Sequence, residues 1–455
     1  MREITINVQL FLLIMIIYPT GFLYSQNIDT LSYILGEQIQ VSDPDNGGDL
    51  QCEPSVAINK NVIVVSWNDS HGGKINSRTG PAVGWAISYD SGNHFTFGGY
   101  LPQSDKSLEL KMDGADSWVG TDSSGDFFLQ VLSWQDSLDY IFIYYMERNK
   151  LGSWQKRYIA YSDKGIDKPA MNVTPSGQIN IVYTNIKGNN NEIFFIKSLN
   201  KGKEWQKPVK LSNSTNVVKT GSAVTSYGNE ILVTWVEGTY MSQDEIWYSY
   251  SLDNGNLFSK AKLLYKIKKP FNSVKGYTIG ALKSKNPDAS FLLSTSTWLT
   301  YTIKNDQVVF YVVYTEGTQK DGSKIILFKL EKKFGQIKGP LIVGNNKDYE
   351  RIFPTITTIK NKPVIFYYDR RDNPFTTITD VYLSIILTDI YYQDIKVNSF
   401  PSDWSHLSGD PKYAPIQRNI GDYITIASYN NKLAATWVGE KDGKSRIFFR
   451  LLEFK

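Results

Sequence analysis

The sequence predicts an all-β chain, a β-propeller of four-stranded blades, seven in number with six as the alternative, closed by its own N-terminal strand. Three observations lead there. One strand–turn–strand pattern recurs seven times, and self-similarity at a regular period marks a repeat architecture before any single element is assigned. A third strand, and in several units a fourth, follows each recurrence, which is the strand count of a propeller blade. Aromatic residues make up 14% of the chain, and Gly outnumbers Pro 34 to 17, a composition suited to strands joined by many turns.

The chain opens with Arg2 ahead of an apolar run at 10–18, then Pro19, Gly21 and Ser25. A charged start, a short apolar core and a small residue predict a signal peptide over 1–25. The run is too short to span a bilayer comfortably, so a membrane anchor is the weaker alternative and no membrane insertion is expected after cleavage. A single propeller domain is expected over 34–455, with 34–42 (ILGEQIQVS) as the strand that completes the last blade and removes an open edge.

The repeat units follow at 54–69, 117–136, 169–185, 222–237, 300–316, 354–370 and 423–440. Their second strands end on Trp67, Trp134, Tyr183, Trp235, Tyr314, Tyr368 and Trp437. Alternation inside these strands is weak, as expected where neighbouring blades cover both faces. Insertions at 267–292 and 400–420 belong on loops, which in propellers often carry the binding face.

Several function classes are excluded. The net charge is only +4 and no basic block stands out, so nucleic acid is a poor partner. Cys52 is the only cysteine and cannot form an internal disulfide. His71, His94 and His406 are the only histidines, and no pair has zinc-site spacing. No cofactor is expected; a weak Ca²⁺ loop is conceivable at Asp43, Asp45 and Asp49, where acidic oxygens alternate around glycines, with a solvated turn as its alternative.

One short stretch repeats almost verbatim: SYDSGNHF at 88–95, SLNKGKEW at 198–205 and SLDNGNLF at 251–258. Ser and Asp side chains accept hydrogen bonds from nearby backbone N–H groups and Gly supplies positive φ, so the stretch reads as a stapled hairpin turn. This pattern resembles the Asp box, the BNR repeat of the sialidase superfamily, with Asn200 replacing Asp in the second copy. The resemblance implies a secreted, monomeric propeller that binds or hydrolyses extracellular glycans, acidic ones included, or a glycoprotein. It places the boxes on the face away from the active site, and their own role is structural.

The opposite face then carries the turns that begin Trp67-Asn68-Asp69, Trp235-Val236-Glu237 and Tyr314-Thr315-Glu316. Aromatics beside acids or amides are what a sugar-binding mouth is made from; packing in the blade core is the competing explanation. The resemblance implies a three-arginine grip, a Tyr–Glu nucleophile and an Asp acid/base. Candidates are Asp69, Glu237, Glu316 and Tyr423 for catalysis, and Arg351, Arg370, Arg371, Arg418, Trp67 and His71 for substrate binding. Arg351-Ile352-Phe353-Pro354 resembles the family's Arg-Ile-Pro signature, but Phe353 is inserted and the stretch lies in the sixth unit. A non-catalytic glycan- or protein-binding scaffold is the alternative. A second is a propeller-type polysaccharide lyase using His71, Tyr140 and Arg157.

Overall fold

The computed structural model describes residues 30–42, 48–70, 81–101, 113–135, 137–188, 190–213, 215, 217–239, 242–268, 273–274, 277–282, 291–293, 296–318, 322–344, 349–407 and 420–455. Seven antiparallel sheets form a propeller. Their first strands are Gln51–Asn59, Asp113–Thr121, Ile166–Val173, Val218–Tyr227, Trp298–Lys304, Arg351–Ile359 and Thr425–Tyr429. Each touches the first strand of the next blade, and the last touches the first, so the ring is closed. No helix among the described residues is long and apolar enough to cross a membrane.

Closure uses the N-terminus. Tyr33–Leu35 pairs with Leu452, Glu453 and Phe454, and Ile39–Gln40 pairs with Phe448 and Phe449. The last strand of the chain, Lys444–Phe454, would otherwise expose its N–H and C=O groups along one edge. Arg450 adds a side-chain clasp, its Nε donating to the Gly36 carbonyl at 2.7 Å.

The first insertion is separate from the blades, and the second extends one of them. Ser273–Val274, Tyr277–Leu282 and Phe291–Leu293 form a small three-stranded sheet of their own. Ser402–Asp403 adds to blade 6, and the following turn drives Trp404 fully into the core, 6.0 Å from the Tyr368 ring.

The recurring aromatics are packing residues. Trp67, Tyr183, Trp235, Tyr314, Tyr368 and Trp437 are all buried to within 1% of complete, at the contacts between adjacent blades. Burying a side chain of that size is worth roughly 4–6 kcal/mol in transfer free energy. The sheets are therefore held face to face by the pattern that made the repeat visible.

The three Ser-x-Asp/Asn-x-Gly turns join third to fourth strands. In each, the Ser hydroxyl accepts from the Gly N–H four residues on, at 2.8, 2.9 and 2.8 Å for Ser88, Ser198 and Ser251. The third residue accepts from the backbone on the far side: His94 N to Asp90 at 3.0 Å, Glu204 N to Asn200 at 2.9 Å and Leu257 N to Asp253 at 2.9 Å. What the turns also do is tie each blade to its predecessor. Phe95 meets Phe449 at 5.0 Å and Phe258 meets Phe195 at 4.8 Å. Lys201 reaches back to Asp122 and Asp126 at 2.8 and 2.6 Å, and Asn254 bonds Gln178 at 2.9 Å. Gly92 is obligatory, because its φ is +84° and a Cβ there would lie 2.2 Å from the Phe449 ring.

These turns divide their polar groups by exposure. Ser251 is buried at 1% exposure, whereas Asp253 points to solvent. Ser251→Ala should leave the Gly255 N–H without its acceptor and cost about 1–3 kcal/mol, with a distinctly smaller loss for Asp253→Ala. Chemical denaturation of the two variants checks the order; equal losses would show that the exposed carboxylate shares the stapling role.

Candidate functional site

Register fixes which face is which. Gln51 opposes Asp69 and Arg351 opposes Asp369, so each first strand begins where the second ends. Ser88, Ser198 and Ser251 oppose Ile63, Ile179 and Ile231, at the other end. The Ser-x-Asp/Asn-x-Gly turns and the starts of the first strands therefore lie on opposite faces.

At those starts the ladder breaks repeatedly. The register skips two residues between Cys52 and Ser55, Ala115 and Trp118, Asp167 and Ala170, Thr220 and Ala223, and Ile352 and Thr355. A β-bulge of this kind bends the strand and re-aims a side chain. The first skipped residue always has positive φ: Glu53 55°, Asp116 50°, Lys168 46°, Gly221 60° and Phe353 50°. The left-handed region costs a non-glycine residue about 1–2 kcal/mol, and such strain concentrates at functional sites. Three of the second skipped residues are Pro54, Pro169 and Pro354, which have no N–H to leave unpaired.

The bulges of blades 2, 3 and 4 line an axial pocket, with Ser296, Thr297, Trp298, Asp422 and Tyr423 from blades 5 and 7 completing the wall. Trp118 and Trp298 stack at 5.1 Å, bringing blades 2 and 5 into contact across the axis. Tyr423 packs on both, at 5.8 and 5.9 Å. Ser222, only 6% exposed, lines the pocket, and its buried hydroxyl has no hydrogen-bond partner among the described residues.

Carboxyl groups gather beside this aromatic trio. Asp422 ion-pairs with Lys168. Glu53 is held behind them: its carboxyl accepts from Asn68 Nδ2 at 2.6 Å and from the Asp422 backbone N–H at 3.0 Å. Its pKa is pushed up to about 8 by burial first and then by Asp116, with which it also shares a hydrogen bond. Burial and Asp116 likewise raise Asp167, to about 6, against the opposing pull of Lys168. Tyr423 donates to the Ser117 carbonyl at 3.2 Å, and burial, with Glu53 and Asp116 next, pushes its phenol well above the ordinary value. The arrangement can hold a proton on a carboxyl group at neutral pH beside a pocket with aromatic walls. Gly421 lets the chain pass; at its φ of +84° a Cβ would come within 2.7 Å of the Glu53 side chain.

Of the residues singled out in the sequence, Tyr423 lies in this pocket. Asp69 is fully buried and accepts from Gly48 N at 2.9 Å and Gln51 Nε2 at 3.0 Å. Glu237 accepts from the Trp235 indole at 2.7 Å, and Glu316 from Tyr265 at 3.2 Å. Trp67 is a core residue, packed against Phe97 at 6.1 Å. The arginines of blade 6 face carboxylates and not a common opening. Arg351 bonds Asp369 at 3.2 Å, Arg370 approaches Glu350 at 3.6 Å, and Arg371 bonds Asp369 and Asp394 at 2.6 and 2.5 Å. Arg371 also lies 4.0 Å over the Tyr382 ring. The burial of Arg351 and Arg371 is compensated by this pairing. Tyr140 and Arg157 sit on the outer two strands of blade 2, away from the axis. Arg418, His71, Asp43 and Asp45 lie outside the described residues. Asp49 is exposed and pairs with Lys444 at 3.0 Å, and among the described residues no group of three or more His, Cys, Asp or Glu is set to hold a metal ion.

Glu53, Asp116, Lys168, Trp118, Ser222 and Trp298 do not emerge from the sequence reading. A signal existed. Glu53, Asp116, Lys168, Gly221, Phe353 and Asp422 are each the residue just before a repeat unit as drawn, so the site sits one position ahead of the pattern.

No family model matches the chain, and no curated protein matches it. Among solved structures it is similar to an ulvan lyase, a polysaccharide lyase, at 8% identity and a TM-score of 0.54, over 91% of this chain and 95% of that one. It is also similar to a sialidase of Trypanosoma rangeli in complex with sialic acid, at 11% identity and a TM-score of 0.40, over 92% of this chain and 58% of that one. At such identities the likeness is one of fold.

The raised carboxyl groups have a measurable sign. Glu53 holds its proton more tightly folded than unfolded, so its contribution is complete below its ordinary value of 4.5 and is lost as pH rises to about 8. Asp167 acts in the same direction between 3.8 and about 6. Stability should therefore fall from pH 5 to 8, and Glu53→Gln should flatten that fall. Thermal melts across this window check it; parallel profiles for the two proteins would mean that Glu53 is ionised throughout.

Proposed function

We propose that the protein is a secreted propeller that recognises extracellular glycans in its axial pocket. One observation carries this reading: an aromatic trio, Trp118, Trp298 and Tyr423, shares a pocket with the unpartnered hydroxyl of Ser222. Aromatic surface packs on the apolar face of a sugar ring while a few polar groups fix its hydroxyls. A buried hydroxyl with no partner among the described residues is a cost to the fold, and a ligand hydroxyl would remove it. The solved neighbours named above, a polysaccharide lyase and a sialidase, act on glycans, which supports the substrate class without naming the sugar.

A glycan array probed with the mature chain tests the reading, with tryptophan fluorescence as the solution measurement. Ser222→Ala should leave the melting temperature unchanged or slightly higher, since no bond within the protein is lost, and should weaken glycan binding about three- to tenfold. Binding unaffected by Ser222→Ala would move the site away from the axis.

A second reading, glycoside hydrolysis, is favoured by the Glu53–Asp116 pair. Asp116 lines the pocket and shares a hydrogen bond with Glu53 behind it, whose carboxyl keeps its proton to about pH 8; such a pair can deliver a proton through Asp116 to a departing glycosidic oxygen. Release of reducing ends from bound glycans should then decline on an alkaline limb near pH 8 and drop at least a hundredfold in Glu53→Gln. Binding without release in both proteins would leave a recognition propeller.

A further inference from the structure

The face opposite the pocket carries side chains that the fold does not use. In the turn at 251–258, Ser251 and Asp253 staple the backbone, Asn254 bonds Gln178, Asn256 accepts from Lys197 at 2.8 Å, and Gly255 and Phe258 pack on Phe195. The side chains of Leu252 and Leu257 do none of this, and they stand 47% and 75% exposed. Leu199 takes the place of Leu252 in the turn one blade earlier and is exposed as well. Tyr227 and Ile303, at the turns between first and second strands of blades 4 and 5, and Ile390, at the turn between third and fourth strands of blade 6, are exposed on the same face. Tyr227 meets Tyr301 at 5.0 Å, and Ile303 N donates to Asn361 at 2.8 Å, so the sector runs on from blade 4 through blade 5 to blade 6.

Lysines stand among these apolar tips. Lys203, Lys260, Lys304, Lys332, Lys333 and Lys360 are exposed on or beside the same set of turns. The acids of those turns are largely engaged by the protein itself: Asp253 accepts from the Asn256 and Leu257 N–H groups, Glu204 from the Asn200 side chain, and Asp389 is ion-paired with Lys329. Asp306 is exposed between them. Single exposed leucines are ordinary on a protein surface, but a run of them across adjacent blades marks a contact surface. Lysine is depleted where proteins bury surface against one another. At the edge of a bilayer the same combination is favourable, because apolar tips enter the acyl boundary while ammonium groups stay at the level of anionic headgroups.

We infer that the turn face of blades 3 to 6 seats the protein on an anionic phospholipid surface. Leu252, Leu257 and Leu199 enter the interface, held out rigidly by the serine staples beneath them, and the lysines pair with headgroup phosphates. The bulges that line the axial pocket are on the opposite face, so a protein seated in this way presents its pocket away from the bilayer. The attachment is peripheral and reversible: the apolar tips are single residues on turns, and the lysine contribution is screened by salt. The inference stands on the turn face alone and is independent of what the pocket takes.

Co-sedimentation of the mature chain with vesicles tests this, using phosphatidylcholine alone and phosphatidylcholine with about one-third phosphatidylglycerol. Partition onto the anionic vesicles should exceed that onto the neutral ones about tenfold or more, and should fall as salt is raised through the range where the Debye length shrinks below about 10 Å. The double substitution Leu252→Ser with Leu257→Ser should reduce anionic partition at least about tenfold at an unchanged melting temperature. Lys260→Glu with Lys332→Glu should remove the preference for anionic over neutral vesicles. Should the double leucine variant fold poorly, Leu257→Ser alone, at the most exposed of the tips, gives the same comparison. No partition onto either vesicle, equal partition onto both, or full retention by the leucine variant would overturn the inference. A concentration-dependent dimer in lipid-free sedimentation velocity, lost in the leucine variant, would overturn it in favour of a second copy of the chain on this face.

Discussion

Seven first strands must share one axis, and everything else in the molecule follows from how that crowding is resolved. A straight, fully paired strand in every blade would press seven rows of side chains into the same column. The chain instead breaks the ladder at the start of five of the seven strands, placing Glu53, Asp116, Lys168, Gly221 and Phe353 in left-handed conformations. Each break turns two residues out of the sheet. The carbonyls released by the bulges are bonded by neighbouring blades: Gly221 accepts from Thr297 N of the next blade at 3.1 Å, and Pro54 from the Thr425 hydroxyl of the preceding one at 3.0 Å. The Trp118–Trp298 stack then crosses the column, beside the pocket. Ring closure and pocket formation are thus one structural event.

The two faces use their polar groups differently. On the turn face, buried serines and exposed carboxylates satisfy backbone N–H groups, and Lys201, Asn254 and the box aromatics reach back to the preceding blade. That face is a set of staples. On the bulge face the blade 6 arginines are paired with Asp369, Asp394 and Glu350, so their charge is spent inside the protein. Toward the axis the pairing thins. Glu53 needs a proton, and Ser222 finds no partner among the described residues.

The architecture was legible because the packing unit and the sequence unit coincide. Trp67, Tyr183, Trp235 and Trp437 recur at the contacts between blades, and such contacts demand large apolar side chains at a fixed place in each repeat. The N-terminal strand was legible for a similar reason: a last unit without an outer strand requires one from elsewhere. The site was less so. A bulge leaves the two-residue strand period and takes whatever residue its position at the axis requires, so Glu53, Asp116, Lys168 and Gly221 share a place but not a chemistry. Periodicity cannot see residues that are alike only in conformation. The arginines misled for the converse reason, since Arg351-Ile352-Phe353-Pro354 carries the letters of an anion grip in a position where Phe353 is itself the bulge and Arg351 lies beneath it, bonded to Asp369.

The energetic argument for a site rests on what the axis does not compensate. Burying a carboxyl group is costly unless it is paired and hydrogen-bonded, as Asp369 is in blade 6 by Arg351 and Arg371. Apolar residues at 53 and 116 would fill the same bulges, and one at 167 the strand position beside a third, without desolvated acids. Natural sequences depart from local consistency at a few functional positions and are stabilised elsewhere. Here the departures lie close together: left-handed backbone and an unsatisfied hydroxyl line one pocket, and the raised carboxyl groups of Glu53 and Asp167 lie outside its lining and beside Asp116 and Lys168, while the staples on the other face and the aromatics between blades supply the stability that tolerates them. A fold serving only as a scaffold has no reason to concentrate three separate costs at its axis.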